Sequence, residues 1–300
     1  MKKRAFVFIL LFSCSSLLFS QAPLWKVNEP AFQYTMTFVA KLNMDGIQLA
    51  STNDLVAAFV GTSCRGVSGL TYVASTKSYC AYLTVFSNTP GEPITFYLYN
   101  SANSKTTKVA KTINFEAYQH IGNLFQSYSI AEPALNNKAE ILSFDFLAIK
   151  ALSSSITPGS VKINVLPTYP LDKLTPVFTL SKGANLYKNK VLLTTGTMAD
   201  NFTTPLVYEV LSEDESTLAS YTINVVQSSL FYKKDAVCST LGAIKVVSKR
   251  DGETVTLSYN GNLKESKKIT NGEAVFLNLI SGSYVANISD EYKVIVVNLK

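Results

Sequence analysis

Almost the whole chain after residue 20 alternates between apolar and polar residues with a period of two, and a helical period of 3.6 is nearly absent. The alternation is clearest in residues 32–42. One side of that stretch carries Phe32, Tyr34, Met36, Phe38, Ala40 and Leu42. Since successive side chains of a strand point to opposite faces, this pattern is typical of a strand with one buried and one solvated face. Its repetition at short intervals predicts an all-β protein of tandem antiparallel β-sandwich modules.

The first 20 residues have the composition of a targeting segment, with basic residues at positions 2–4 and an apolar run behind them. We predict a signal peptide over residues 1–20, cleaved after Ser20. In the alternative, Leu11-Phe12-Ser13-Cys14 is similar to a bacterial lipoprotein box, and Cys14 carries the lipid. Both processing routes predict export. No later segment is long and apolar enough for a transmembrane span.

Charge and catalytic side chains exclude several classes of function. The formal charge of +6 falls to +3 without the basic residues at positions 2–4, and the other lysines are scattered, so we expect no nucleic-acid partner. His120 is the only histidine, which excludes His-pair metal sites, and no GxSxG motif accompanies it. We expect no catalysis, and we expect His120 to be a loop or strand-end residue. A secreted hydrolase is the minor alternative, because a carboxylate pair is visible only in tertiary structure.

Three cysteines remain after export, Cys64, Cys80 and Cys238. In an antiparallel hairpin over this region, Cys80 lies opposite Thr71 or Tyr72. Cys64 is then about seven residues away, or ~20 Å at the rise of a strand, which is beyond the reach of a disulfide. We therefore expect buried reduced thiols rather than a bridge between Cys64 and Cys80.

Turn residues and a linker divide the mature chain into three predicted modules. Glu132-Pro133 and the polar residues behind it separate the first module, residues 25–131, from the second, residues 138–227. The third module comprises residues 230–300. It contains three dipeptides that tight hairpin turns prefer, Asp251-Gly252, Asn260-Gly261 and Asn271-Gly272.

Parts of all three modules resemble known secreted proteins of gut and gliding Gram-negative bacteria. Residues 32–46 (FQYTMTFVAKLNMDG) and 53–68 (NDLVAAFVGTSCRGVS) resemble a surface β-sandwich module of such proteins, for which the resemblance implies no activity. Residues 139–146 and 161–167 resemble their immunoglobulin-like or cadherin-like repeats, which mostly act as spacers. Residues 278–297 resemble the end of a type IX secretion sorting domain. The alternative for that end is one more small structural sandwich.

Tyrosines of the first module form a candidate ligand-binding site. Residues 94–100 alternate, and if the aliphatic side is core, Tyr97 and Tyr99 form a stripe that faces solvent. Tyr82, on the strand that we expect beside it, extends the stripe. Adjacent aromatic rings on a sheet can stack sugar rings, so these residues indicate glycan binding. In the alternative, they are cross-strand filler or lie beneath a loop.

Asp45, Asn53 and Asp54 are candidate ligands for calcium, which binds six to eight oxygen atoms. A turn alone also explains Asp45-Gly46. The sequence thus predicts an exported surface protein that binds a glycan or a cell-surface protein, with no cofactor other than this calcium ion. The alternative is a surface lipoprotein of a polysaccharide-utilisation system anchored at Cys14. The sequence does not predict the oligomeric state.

Overall fold

The computed structural model describes residues 22–300, so the predicted signal peptide and Cys14 lie outside the described residues. These residues form two compact units, 22–135 and 136–300. Strands supply nearly all of the regular structure, beside the 3-10 helix η1 (Glu29–Ala31). The predicted all-β class with antiparallel sheets is confirmed. Within the part of the chain that the structure describes, no helix is both long and apolar enough to cross a membrane.

The first unit is built from two sheets that share a strand. Its strands are β1 (Tyr34–Met44), β2 (Ile47–Gln48), β3 (Leu55–Val60), β4 (Ser63–Val73), β5 (Ser78–Ser87), β6 (Pro93–Asn100), β7 (Lys105–Asn114), β8 (His120–Ile121) and β9 (Tyr128–Glu132). β4 pairs with β3 through residues 63–69 and with β5 through residues 70–73. The first sheet has the order β2-β1-β5-β4, and β8 and β9 also pair with β1. The second sheet has the order β4-β3-β6-β7.

The core of the first unit lies between these sheets and is built from the alternating positions of their strands. On β1, the predicted inward residues Met36, Phe38, Ala40 and Leu42 are all fully buried. The ring of Phe38 meets the ring of Phe96, from β6 of the second sheet, edge-on at 5.6 Å. Because each sheet turns its apolar side to the other, the opposite sides of both sheets face outward.

The second unit contains two separate hydrophobic cores. We call the parts around them the middle module (residues 136–227) and the C-terminal module (residues 228–300). The strands of the middle module are β10 (Ile141–Phe146), β11 (Ser153–Thr157), β12 (Ser160–Val165), β13 (Pro176–Leu180), β14 (Asn185–Lys188), β15 (Val191–Leu193), β16 (Leu206–Leu211) and β17 (Leu218–Gln227). They form the sheets β10-β13 and β11-β12-β17-β16-β14-β15. The predicted inward residues Val161, Ile163 and Val165 are all fully buried.

The C-terminal module is a succession of hairpins. Its strands are β18 (Leu230–Lys234), β19 (Gly242–Val247), β20 (Thr254–Tyr259), β21 (Asn262–Lys268), β22 (Glu273–Leu279), β23 (Gly282–Ile288) and β24 (Glu291–Val297). They form the sheets β18-β19-β22 and β21-β20-β23-β24. The turn between β20 and β21 has Asn260 and Gly261 at φ of 49° and 79°, as expected for an Asn-Gly turn with two left-handed residues.

The cysteines follow the predicted register but only part of the predicted burial. Cys80 lies opposite Thr71, and no disulfide joins it to Cys64, as we expected. The expectation that these two thiols are buried is confirmed for Cys80 and wrong for Cys64, which is half-buried. Cys238 is exposed and lies in the tight turn of residues 237–240.

Candidate ligand-binding faces

The predicted tyrosine stripe lies on β6, but it does not face solvent along its length. Ile94, Phe96 and Leu98 are buried in the core, as predicted. On the opposite side, Tyr97 is half-buried. Tyr99 is only 5% exposed, so the expectation that it faces solvent is wrong. β6 is an interior strand between β3 and β7, and its outer side chains therefore have neighbours on both sides.

Tyr97 is also covered by a residue from the N-terminal segment. The Trp25 indole lies 6.5 Å from the Tyr97 ring and 6.2 Å from the Phe59 ring, centroid to centroid. Phe59, on β3, meets Tyr97 at 5.1 Å and 72°. Edge-to-face pairs at these distances are stabilising beyond the area that they bury. We call Trp25, Phe59 and Tyr97 the aromatic cluster.

Polar side chains flank the aromatic cluster on β7. Lys108 lies directly opposite Tyr97, and Thr112 lies opposite Thr95. Side chains at directly opposed positions of a sheet are about 5 Å apart, so the Lys108 ammonium group can reach a ligand on Tyr97. Lys108 and Thr112 are both exposed. This outer face of the second sheet thus combines aromatic side chains with hydrogen-bond donors. A sugar could stack on the aromatic rings and be oriented by the donors.

Sequence reasoning missed two members of the aromatic cluster. Trp25 precedes the first strand, where no periodic pattern marks it. Phe59 lies within the continuous apolar run of β3, in which alternation does not separate the two faces. Trp25 is the only tryptophan of the chain, which could have marked it as a candidate ligand-binding residue. The sequence did not show, however, which side chains Trp25 contacts.

Tyr82 lies on a different sheet from Tyr97. The expectation that its strand neighbours β6 is wrong, because β5 pairs with β1 and β4. It is wrong for a topological reason: β4 passes between the sheets, and β3 rather than β5 becomes the partner of β6. Tyr82 is 49% exposed on the outer face of the first sheet. The tyrosines therefore do not form one platform.

The first sheet has an outer face of its own, which is polar around Tyr82. Thr84, two residues further along β5, lies opposite Thr37 of β1, and Thr37 lies beside His120 of β8. The Nδ1 atom of His120 and the Oγ1 atom of Thr37 are 2.9 Å apart. We call Tyr82, Thr84, Thr37 and His120 the first-sheet face. Its hydroxyl groups can bind polar ligands, and its exposed rings are the phenol of Tyr82 and the imidazole of His120.

The structure gives other partners to two of the predicted calcium ligands. Asp54 is buried and accepts hydrogen bonds from the Ser101 backbone amide at 2.8 Å and from the Ser101 hydroxyl at 2.7 Å. Asp45 is exposed and pairs with Lys105 at 2.7 Å, and Asn53 is exposed. Residues 22–300 contain no group of three or more His, Cys, Asp or Glu side chains placed to hold a metal ion. Calcium binding stays a prediction.

The middle module holds a polar cluster around the half-buried Asp200. The carboxylate of Asp200 receives the Lys188 ammonium group at 2.5 Å and the hydroxyl of Tyr208 at 3.0 Å. Tyr208 is fully buried, and these side chains line a small cavity of about 130 Å³. Burial works to raise the pKa of Asp200, but the hydrogen bonds from Lys188, the Asn201 amide and Tyr208 outweigh it and hold that pKa below the usual value. This cluster stabilises the module.

Residues 141–225 match the family described as SGBP, N-terminal. The matched residues lie in the middle module and cover less than a third of the chain. No curated protein matches the chain. The resemblance of the C-terminal residues to a type IX sorting domain has no family match beside it and stays a prediction.

Solved structures with a similar chain path are distant. A candidate glycoside hydrolase from Bacteroides thetaiotaomicron is 14% identical over 54% of this chain and 82% of its own, with a TM-score of 0.29. A secreted protein from Bacteroides fragilis is 15% identical over 31% of this chain and 97% of its own, with a TM-score of 0.25. Extracellular domains 3–5 of Drosophila OTK are 9% identical over 92% of this chain and 99% of their own, with a TM-score of 0.25. With scores this low, none of these likenesses bears on function.

Proposed function

We propose that this protein is an exported surface protein of a bacterium that binds glycans without catalysis, through Phe59 and Tyr97 of the aromatic cluster in its first unit. The match of residues 141–225 to the SGBP N-terminal family carries the proposal, because this domain suggests surface glycan binding in Bacteroidetes. That match lies on the middle module. The assignment of binding to the first unit rests on the chemistry of the faces.

The first unit supports ligand binding better than the middle module does. Its second sheet carries Phe59 and Tyr97 beside the exposed Lys108, and Trp25 packs against both rings. In the middle module, by contrast, the polar cluster around Asp200 lines a small cavity, and its carboxylate already has three hydrogen-bond donors. The middle module therefore acts as a spacer that presents the binding unit.

Binding of the mature chain to a panel of polysaccharides tests this proposal. The panel contains neutral glucans, uronate polymers and host glycans, and affinity electrophoresis is followed by calorimetry. Tyr97→Ala removes a ring of the aromatic cluster, and we expect it to weaken binding about tenfold or more. Tyr82→Ala is the matched control, because it removes a tyrosine from the other sheet of the same unit.

Each outcome of that comparison is decisive. Loss of binding with Tyr97→Ala alone supports the aromatic cluster. Loss with Tyr82→Ala alone would move the site to the first-sheet face. Wild-type protein that binds no polysaccharide would contradict glycan binding and direct the search to a cell-surface protein as ligand. Release of reducing ends from a bound polysaccharide would contradict the absence of catalysis.

The routes of export and anchoring are tested separately. Palmitate labelling that disappears in Cys14→Ala would establish the surface lipoprotein, and its absence would favour cleavage after Ser20. Shortening of the released protein at its C-terminus would support type IX sorting through the C-terminal module. Retention of the full-length chain in the periplasm would contradict surface exposure.

A further inference from the structure

The segment that covers the aromatic cluster is attached differently from the strands beneath it. Residues 22–27, which we call the strap, belong to no strand, and none of their backbone groups is among the backbone–backbone hydrogen bonds of the described chain. Pro23, Trp25 and Val27 are half-buried, whereas the residues between them are exposed, Leu24 to 91%. The strap therefore lies on the second sheet by its side chains and does not extend the sheet.

One side-chain contact holds the middle of the strap. The Trp25 indole packs against Phe59 and Tyr97, and Cys64 lies opposite Phe59. A segment held by few contacts, without a backbone ladder, opens at a lower free energy than the sheet on which it rests.

We propose that the strap is a detachable cover of the ligand-binding face: it opens while the sandwich stays folded, and the open state presents Phe59 and Tyr97 to a glycan. The part concerning the glycan rests on the proposed function, whereas the opening does not. Trp25 occupies the space over both rings, which is where a sugar ring would stack. The affinity measured for a ligand is reduced by the fraction of protein in which the face is open.

Opening is measured first without any ligand. Trypsin should cleave after Lys26, and an alkylating reagent should react with the half-buried Cys64, faster when the strap has left the sheet, while the exposed Cys238 serves as the internal reference. We expect both rates in the wild-type protein to be nearly independent of urea at concentrations well below the unfolding transition, since local opening exposes little surface. Rates that rise with urea in parallel with global unfolding would overturn the proposal.

Trp25→Ala removes the main contact, and Leu24→Ala is the matched control in the same strap. We expect Trp25→Ala to raise both rates about tenfold and Leu24→Ala to leave them unchanged, with the sandwich still folded in both variants. Unchanged rates in Trp25→Ala would show that the indole does not hold the strap. If Trp25→Ala fails to fold, the urea dependence of the wild-type rates still shows whether the strap opens without global unfolding.

A bound polysaccharide tests the second half of the proposal. We expect Trp25→Ala to bind several-fold more tightly than the wild-type chain, because its face is open more often. Trp25 is the only tryptophan, so the fluorescence of the wild-type protein reports the strap alone and shifts to the red as the ligand displaces the indole into water. Weaker binding by Trp25→Ala would instead make Trp25 a contact ring. If no polysaccharide binds, the proposed function fails, and the ligand-free rates still decide whether the strap opens.

Discussion

The first unit and the middle module differ in where they place their polar and aromatic side chains. In the first unit, aromatic and basic side chains, among them Tyr97 and Lys108, lie on an outer face. In the middle module, a cluster of charged and phenolic side chains around the half-buried Asp200 lines a small cavity. Rings and donors at a surface can meet a ligand, whereas a half-buried carboxylate that already has three donors contributes to stability. The comparison separates a binding unit from a spacer.

The largest expected effect is on the middle module. Asp200→Ala leaves the Lys188 ammonium group and the buried Tyr208 hydroxyl without their acceptor, and we expect a loss of about 2 kcal/mol in the free energy of unfolding. Glycan binding should not change. Urea unfolding and calorimetry measure the two quantities, with the exposed Asp172→Ala as control. A loss of binding in Asp200→Ala, with the first unit still folded, would break the division between binding unit and spacer.

A second prediction concerns the strand that joins the two sheets of the first unit. A Cβ atom added at Gly66 would collide with the backbone oxygen of Thr84, because β4 crosses close to β5 there. We expect Gly66→Ala to destabilise the first unit by about 1–3 kcal/mol and to disturb both of its outer faces. Gly69→Ala, where the nearest atom is the Thr52 backbone oxygen at 3.3 Å, should cost less in the same urea experiment. Equal stability of the two variants would contradict this account of the crossing.

Acid should act on the middle module through Asp200. Its pKa is lowered in the folded protein, so the folded state binds fewer protons at this site than the unfolded chain does. The stabilisation is therefore complete above the ordinary carboxyl pKa of about 4 and is lost as the pH falls through the lowered folded value. The free energy of unfolding, measured at several pH values between 6 and 2, should fall with pH in this window, and Asp200→Asn should reduce the slope of that dependence. A slope that is the same in both proteins would rule out this carboxyl as its source.

The smallest expected effect is a difference between two thiols. Burial raises the pKa of Cys64, whereas Cys238 is exposed, so Cys64 should carry less thiolate near neutral pH. Alkylation followed by mass spectrometry should show that Cys238 reacts several-fold faster than Cys64. The difference between the two alkylation rates should become smaller as the pH rises. Faster reaction of Cys64 would mean that the outer face of the second sheet is not covered.

Much of the fold could be predicted from the sequence because alternation reports burial directly. The inward sides of β1 and β12, including Phe38 and Ile163, are buried as the pattern predicted. The Asn260-Gly261 turn followed from the need for left-handed backbone, and the position of Cys80 opposite Thr71 followed from counting residues along a hairpin. These features depend on neighbours in the chain.

The candidate site could be predicted only in part. Tyr97 was placed correctly on the outer side of β6, but Tyr99 proved to be buried and Tyr82 belongs to the other sheet. The alternation of apolar and polar residues shows which residues share one side of a strand. It carries no information on which strand lies beside it or on what covers the outer side.

The sequence by itself determined that this chain is all-β and which side of the clearly alternating strands is core. The tertiary structure alone decided that β4 passes from one sheet to the other, that β3 rather than β5 pairs with β6, and that Trp25 lies over Phe59 and Tyr97. The physical reason is that alternation results from burial, a property of each residue, whereas strand order and the cover over the cluster result from contacts between residues far apart in the chain.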